Sequence, residues 1–348
     1  MRETELLADQ FKRDGTVSNI AVRVGKFGDI IGEVYSDGVN SQTLFDMASV
    51  TKITVTTTLA LIAVEQKRLN ITDKVSKFFA VPEWYNELTV FNLLTHTMGL
   101  ASRDLTGNNI TYDNIAEYIL SLKGNAVGKW VEYSCPAFIL LGKILEKIYG
   151  ERLDVLFENM VAAPLGLKSS GFKPDKTGHS IINSNIADNK LGIVNDYNCQ
   201  FLGGVAGNAG LFSNIDDITV YADMLLNGGG KLFSRSVLDM AAKNYTADMG
   251  QARGLGFLYV DENYKQTGTL FPVGSIGHCG HTGTSLFLNR ESGLYVIILS
   301  DATVSIAKNT VMKIMTRLCK CGKSCIMQLK TIYLIRGETF CRTENACL

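Results

Sequence analysis

Ser49-Val50-Thr51-Lys52 runs straight into an apolar stretch from Ile53 to Val64, and this junction constrains the fold more than any other segment. Ile53, Leu59, Ala60, Leu61, Ile62, Ala63 and Val64 would make a helix apolar on every side, which must be buried on every side. Thr54, Val55, Thr56, Thr57 and Thr58 are β-branched, so a strand competes locally. The long run free of Gly and Pro favours helix. Asp46 stands where a cap could hold free amides at the helix start. The serine and lysine would then lie one turn apart on one face, an amine beside a hydroxyl. That is what a hydroxyl needs to become a nucleophile.

The bare spacing recurs at Ser170-Gly171-Phe172-Lys173 and at Ser305-Ile306-Ala307-Lys308. The first is surrounded by Gly166, Gly171 and Pro174, a loop. The second has no companion motif after it. Ser49 is therefore the candidate nucleophile, with Lys52 beside it.

A chain of 348 residues has room for about two domains and a sizeable core. Its 34 basic and 34 acidic residues cancel, and no block of like charge suggests a nucleic-acid or anionic-membrane surface. No stretch reads as a membrane span or as the apolar core of a signal peptide, so a cytoplasmic protein is expected. Of 8 cysteines, Cys319, Cys321, Cys325, Cys341 and Cys347 crowd the end of the chain, without the two-residue gap usual in zinc sites. No metal or cofactor is expected. His278, Cys279 and His281 are too close in sequence to chelate one ion, and His96 and His179 lack acidic partners and read as structural.

Residues 3 to 14 read as a helix, and 20–24 and 30–35 as strands joined at Lys26-Phe27-Gly28. Helices are expected over 90–97, 115–122 and 137–149. Strands are expected over 284–289 and 294–300, joined by Arg290-Glu291-Ser292-Gly293. Strands at both ends with helices between imply one sheet completed by the two termini. The expected class is α/β (α+β): residues 1–45 and 200–318 form a sheet-containing part, 46–199 a mainly helical part, and 319–348 a Cys-rich tail.

Two further segments carry chemistry. Tyr133-Ser134-Cys135 precedes a helix, and a phenol there could share a proton with Lys52. Gly277-His278-Cys279-Gly280-His281-Thr282-Gly283 precedes the last hairpin, where glycines let a strand edge approach a ligand.

Taken in order, Ser49-x-x-Lys52, Tyr133-Ser134-Cys135 and His278-Cys279-Gly280 resemble the three motifs of the serine β-lactamase and penicillin-binding superfamily. The branch most similar is that of class C β-lactamases and the related carboxylesterases and D-aminopeptidases. The stretches 45–52, 93–100, 164–167 and 202–213 also look like family segments, and the resemblance covers roughly residues 5 to 318. It implies an antiparallel sheet built from both chain ends, flanked by helices, and an α-helical region carrying Ser49 and Tyr133. Ser49 would be the acylated nucleophile, with Lys52 and Tyr133 exchanging the proton. The backbone amides of Ser49 and His281 would form the oxyanion hole, and His278 would stand where the family usually has lysine. Cys135, Cys279, Gly280 and His281 would line the substrate.

Two departures from the family pattern stand out. Cys135 replaces the usual asparagine, and a thiol is a weak hydrogen-bonding substitute. His278 replaces a permanent cation with a group that would gain its proton only near pH 6.5, so carboxylate-bearing substrates should bind more tightly as pH falls from about 8 to 6. The implied activity is serine acyl-hydrolysis of small-molecule esters or amides, with β-lactams within reach. A D-amino-acid peptidase of cell-wall turnover, or a penicillin-binding or sensor protein that acylates without turnover, is the alternative.

Overall fold

A computed structural model describes residues 17–178, 180–184, 191–263 and 271–301. The expected helix over 3–14, Ser305-x-x-Lys308, His179 and the Cys-rich tail lie outside the described residues. The main sheet is six-stranded and antiparallel, in the order β2-β1-β9-β8-β7-β6. Its strands are β1 (Ile20–Lys26), β2 (Asp29–Tyr35), β6 (Leu258–Tyr259), β7 (Ile276–Cys279), β8 (Ser285–Asn289) and β9 (Leu294–Ser300). β1 pairs with β9 from Ile20↔Ser300 to Lys26↔Leu294, so the two ends of the described chain meet at the sheet centre, as the sequence implies.

Both hairpins follow from turn chemistry. Phe27 and Gly28 have φ of 48° and 87°, the two positive values that a tight right-twisting two-residue turn requires. The Asn289–Leu294 connection closes with Asn289 Oδ1 accepting from Ser292 N at 2.8 Å. Along the central strands, alternate side chains enter two cores. Ala21, Leu286, Leu288, Tyr295, Ile297 and Leu299 join the large one. Ile20, Val22, Phe287, Val296 and Ile298 join a smaller one on the opposite face, the period-two pattern of a sheet buried on both sides.

The helices of the described residues include α1 (Ala48–Glu65), α2 (Val90–Leu94), α3 (Ile115–Ser121), α4 (Cys135–Tyr149), α5 (Leu153–Phe157), α6 (Tyr197–Phe201), α7 (Ile215–Leu226) and α8 (Arg235–Ala241). α7 lies across β1, β8 and β9. α1 runs through the large core and is long and apolar enough to cross a membrane by length and composition. That corrects the expectation that no stretch would qualify; its window is 83% buried inside the protein, which is the setting of a core helix.

Threonine-rich α1 resolves as helix, and three of its hydroxyls find backbone acceptors while the buried Thr57 Oγ1 finds none. Thr54 Oγ1 donates to Val50 O at 3.0 Å, Thr58 Oγ1 to Ile53 O at 2.8 Å and Thr56 Oγ1 to Gly207 O at 2.7 Å. Residues Lys52–Thr57 form a wide π turn. Such a turn leaves carbonyls open to other donors, and Ile53 O also accepts from Tyr221 Oη at 2.9 Å.

A second, three-stranded sheet, β3 (Phe45–Asp46), β5 (Leu211–Ser213) and β4 (Gly171–Phe172), sits at the entry to α1. Sequence periodicity gave no sign of it. Its strands are two or three residues long, too short to show alternation.

Candidate active site

The chain enters α1 through a strained backbone. Ala48 has φ of 45°, a left-handed conformation that costs a non-glycine residue energy and must be held by its surroundings. Asp46 does the holding. Its Oδ1 accepts from Ala48 N at 2.8 Å, while Oδ2 accepts from Asn195 N at 2.6 Å and Ser184 Oγ at 3.1 Å. The carboxyl is buried, and burial lifts its pKa to about 6. Thr282 Oγ1 donates to Asp46 O at 2.9 Å and Thr284 Oγ1 to Met47 O at 3.1 Å, pinning the β7–β8 turn to the same loop.

Asp46→Ala removes all three acceptor contacts and leaves buried donors unpaired. We expect a loss of about 3 kcal/mol of stability, read as a fall in denaturation midpoint, together with reduced activity. A variant as stable as the parent would show that the strained entry to α1 is held by other contacts.

The three sequence-identified residues meet at one oxygen. Lys52 Nζ donates to Ser49 Oγ at 3.0 Å, and Tyr133 Oη donates to the same oxygen at 2.6 Å. Ser49 is partly exposed, whereas Lys52 is fully buried. Lys52 Nζ also donates to Asn208 O at 2.9 Å, lies 3.6 Å from Cys135 Sγ, and sits 4.9 Å from the Tyr133 ring centroid. Burial alone would push the Lys52 ammonium down, but attraction to Cys135 and Tyr133 outweighs it and leaves Lys52 above the ordinary lysine range. Burial pushes the Tyr133 phenol up, and the charge of Lys52 offsets only part of that rise.

Tyr133 and Cys135 flank the start of α4, and Ser134 fixes both. Its Oγ caps the helix by accepting from Ala137 N at 3.0 Å, with Pro136 in the first turn. Ser134 N donates to His96 Nδ1 at 3.0 Å, and Cys135 N to Ser102 Oγ at 2.8 Å. The buried His96 ring stacks between Tyr133 and Phe138, with centroids 4.8 and 4.9 Å away. His96 is thus structural, as the sequence suggests, but its place is directly behind the tyrosine.

β7 brings the third motif to the other side. His278 is buried, its ring centroid 6.1 Å from that of Tyr133. Its Nδ1 lies 2.8 Å from Cys279 O, which can only accept, so Nδ1 carries the proton and Nε2 is a bare acceptor. Nε2 is buried without a protein partner. Burial, then the charges of Arg253 and Lys52, push the His278 pKa well below the ordinary histidine value. This corrects the expectation that His278 becomes a cationic anchor between pH 8 and 6: in this environment it stays neutral.

Gly280 closes the contact between β7 and α1. A Cβ there would lie 2.1 Å from Thr284 Oγ1, 2.9 Å from Met47 O and 3.1 Å from Ala48 Cβ, so no larger residue fits. The His281 side chain is exposed, Thr282 Oγ1 is committed to Asp46 O, and His281-Thr282-Gly283 forms the turn that follows β7. Cys279 is half-buried at the strand end. Ser170 belongs elsewhere: its Oγ bonds Asp217 Oδ2 at 2.8 Å and Ser213 Oγ at 2.7 Å, and Lys173 is exposed. Among the described residues, no three His, Cys, Asp or Glu side chains gather as a metal site.

Two participants escape sequence reasoning. Asn208 supplies the carbonyl that holds Lys52, and a backbone acceptor leaves no mark in residue type; only the glycine-rich setting of 202–213 points there. Arg253, buried, lies over the Tyr133 ring at 5.7 Å and donates to Gln251 Oε1.

A protein-family model described as Beta-lactamase matches residues 5–314. A protein of Escherichia coli (strain K12) named "Putative D-alanyl-D-alanine carboxypeptidase" is 29% identical over 303 residues, spanning 74% of this chain and 69% of the relative. Among solved structures, a class C β-lactamase from Rhodobacter sphaeroides superimposes with a TM-score of 0.72 at 16% identity, covering 90% of this chain and 98% of that one. EstCE1, described as a hydrolase with promiscuous acyltransferase activity, reaches 0.69 at 19% identity, again covering 90% and 98%. Such structural likeness at low identity speaks to the fold, which is the one the sequence implies.

Proposed function

The chain belongs to the β-lactamase family, and from that premise we propose that it is a serine acyl-hydrolase working through an acyl-enzyme on Ser49. The observation that carries the reading is the convergence of Lys52 Nζ and Tyr133 Oη on Ser49 Oγ, at 3.0 and 2.6 Å. In this reading Ser49 Oγ attacks an acyl carbon while its proton passes to the Lys52–Tyr133 pair. Tyr133 then returns a proton to the leaving group, and water reverses the sequence to free the acid. The backbone amides of Ser49 and His281 receive the developing oxyanion, each donor contributing about 3 kcal/mol to the transition state. A fluorophosphonate probe should add to Ser49 alone, mapped by peptide mass spectrometry. An adduct on Ser170 or on no serine would overturn the assignment.

The substrate class follows from the two departures. A neutral His278 with a bare Nε2 offers a carboxylate no cation, and a thiol at 135 is a poor partner for an acylamino group. Both favour short neutral esters or amides over β-lactams. We expect kcat/KM for a short nitrophenyl ester to exceed that for a chromogenic cephalosporin. KM for the anionic substrate should stay flat between pH 6 and 8, because His278 has no proton to gain there. A cephalosporin value at or above the ester value, or a KM that falls toward pH 6, would refute this. The second reading, a D-alanyl-D-alanine carboxypeptidase, is favoured by the names of the relatives and is tested by release of D-alanine from a D-alanyl-D-alanine peptide.

A further inference from the structure

The catalytic reading gives no task to Cys135, yet its thiol touches the amine on which that reading depends. Sγ is 3.6 Å from Lys52 Nζ, at the first residue of the fifteen-residue helix α4. Cys135 is 8% exposed, whereas Lys52 is wholly enclosed. Cys199 is the instructive contrast. Its thiol is fully buried, donates to Ala209 O at 3.2 Å, and burial pushes it well above the usual thiol range. A cation in contact and a helix start are the setting in which a cysteine is oxidised selectively.

We propose that Cys135 and Lys52 form a peroxide-responsive cross-link that reversibly silences the site. A peroxide transfers one oxygen to Sγ, giving the sulfenic acid and the corresponding alcohol or water; sulfur loses two electrons and the O–O bond is reduced. Lys52 rests as the ammonium, so it first gives one proton to a hydroxide ion from solvent, which becomes water, and the nitrogen lone pair so freed then attacks Sγ. The S–N bond forms as the S–O bond breaks, and the departing hydroxide takes a proton from the amine and leaves as water. No further oxidant is consumed. An external thiol attacks sulfur and releases the Lys52 amine as a mixed disulfide forms; a second thiol then restores Cys135. To close the bond, Lys52 Nζ gives up its hydrogen bonds to Ser49 Oγ and Asn208 O and moves toward Sγ. Its effect on activity rests on the proposed role of Lys52, because a sulfenamide nitrogen cannot take the Ser49 proton.

The test treats the purified chain with hydrogen peroxide and follows ester hydrolysis alongside peptide mass mapping. The expected result is an activity loss of about tenfold or more, recovered with dithiothreitol. It should coincide with a cross-linked peptide pair joining Cys135 to Lys52, lighter by two hydrogens. Cys135→Ser, measured against its own untreated rate, should lose the peroxide-sensitive phase, and Cys279→Ser should keep it. Lys52→Arg should show oxidised Cys135 without the cross-link, a readout independent of turnover. Inactivation of Cys135→Ser at the parent rate would overturn the proposal, as would a reversible loss carried by a disulfide or inactivation without the cross-link. A cross-link that leaves activity intact would support the bond and overturn Lys52 as the proton acceptor.

Discussion

Ser49→Ala should lower kcat/KM for ester hydrolysis by at least about a thousandfold, because removing the nucleophile leaves only binding and oxyanion stabilisation. The variant should fold, since Ser49 is partly exposed and its hydroxyl serves no backbone partner in the strained turn that Asp46 holds. Lys52 should stay anchored by Asn208 O, so unfolding would not mimic loss of the nucleophile. The comparison requires matched denaturation midpoints and a fluorophosphonate adduct present on the parent and absent from the variant. Hydrolysis retained in Ser49→Ala at normal stability would move the nucleophile elsewhere. Ser170 is a poor heir, because its hydroxyl is held against Asp217 and Ser213.

Sequence showed most where the determining interactions are local. The strands now seen at 285–289 and 294–300 differ by one residue from the expected bounds, because alternation and the Arg290–Gly293 turn act within a dozen residues. α4 was legible for the same reason, although the expected start at 137 fell two residues inside the observed one at Cys135, where Ser134 caps it. α2 was overdrawn to Thr97. It stops at Leu94, and His96 turns the chain with φ of 57° so that its ring can pack behind Tyr133. That stop is a tertiary effect with no local signature.

Within the site, side-chain identities could be read and protonation could not. Ser49, Lys52 and Tyr133 are brought together as their motifs suggest. The neutrality of His278 depends on burial, Arg253, Lys52 and one carbonyl, contacts set by segments far apart in the chain. The short sheet at 45–46, 171–172 and 211–213 was invisible for a similar reason, since its strands exist only as partners of one another.

Lys52→Ala should cost about a thousandfold in kcat/KM, and Tyr133→Phe somewhat less, with the two losses strongly non-additive because both groups act on one proton. In the resting arrangement Lys52 and Tyr133 both donate to Ser49 Oγ, so neither is ready to receive its proton. Both also hold their protons more tightly than usual, Lys52 through Cys135 and Tyr133 outweighing burial, and Tyr133 through burial. A raised pKa on the accepting pair moves the rising limb of kcat/KM toward higher pH. The rate should therefore still be climbing between pH 7 and 9. His278 and His96 add no limb near pH 6.5, because both are held neutral by burial and neighbouring cations. Tyr133→Phe removes one partner that holds the Lys52 proton, which should draw the limb to lower pH while the plateau falls. A merely structural tyrosine would lower the rate at every pH and leave the midpoint in place. A parent profile flat from pH 7 to 9 would show that the proton acceptor is already free at neutrality, and the Lys52–Tyr133 assignment would fall with it.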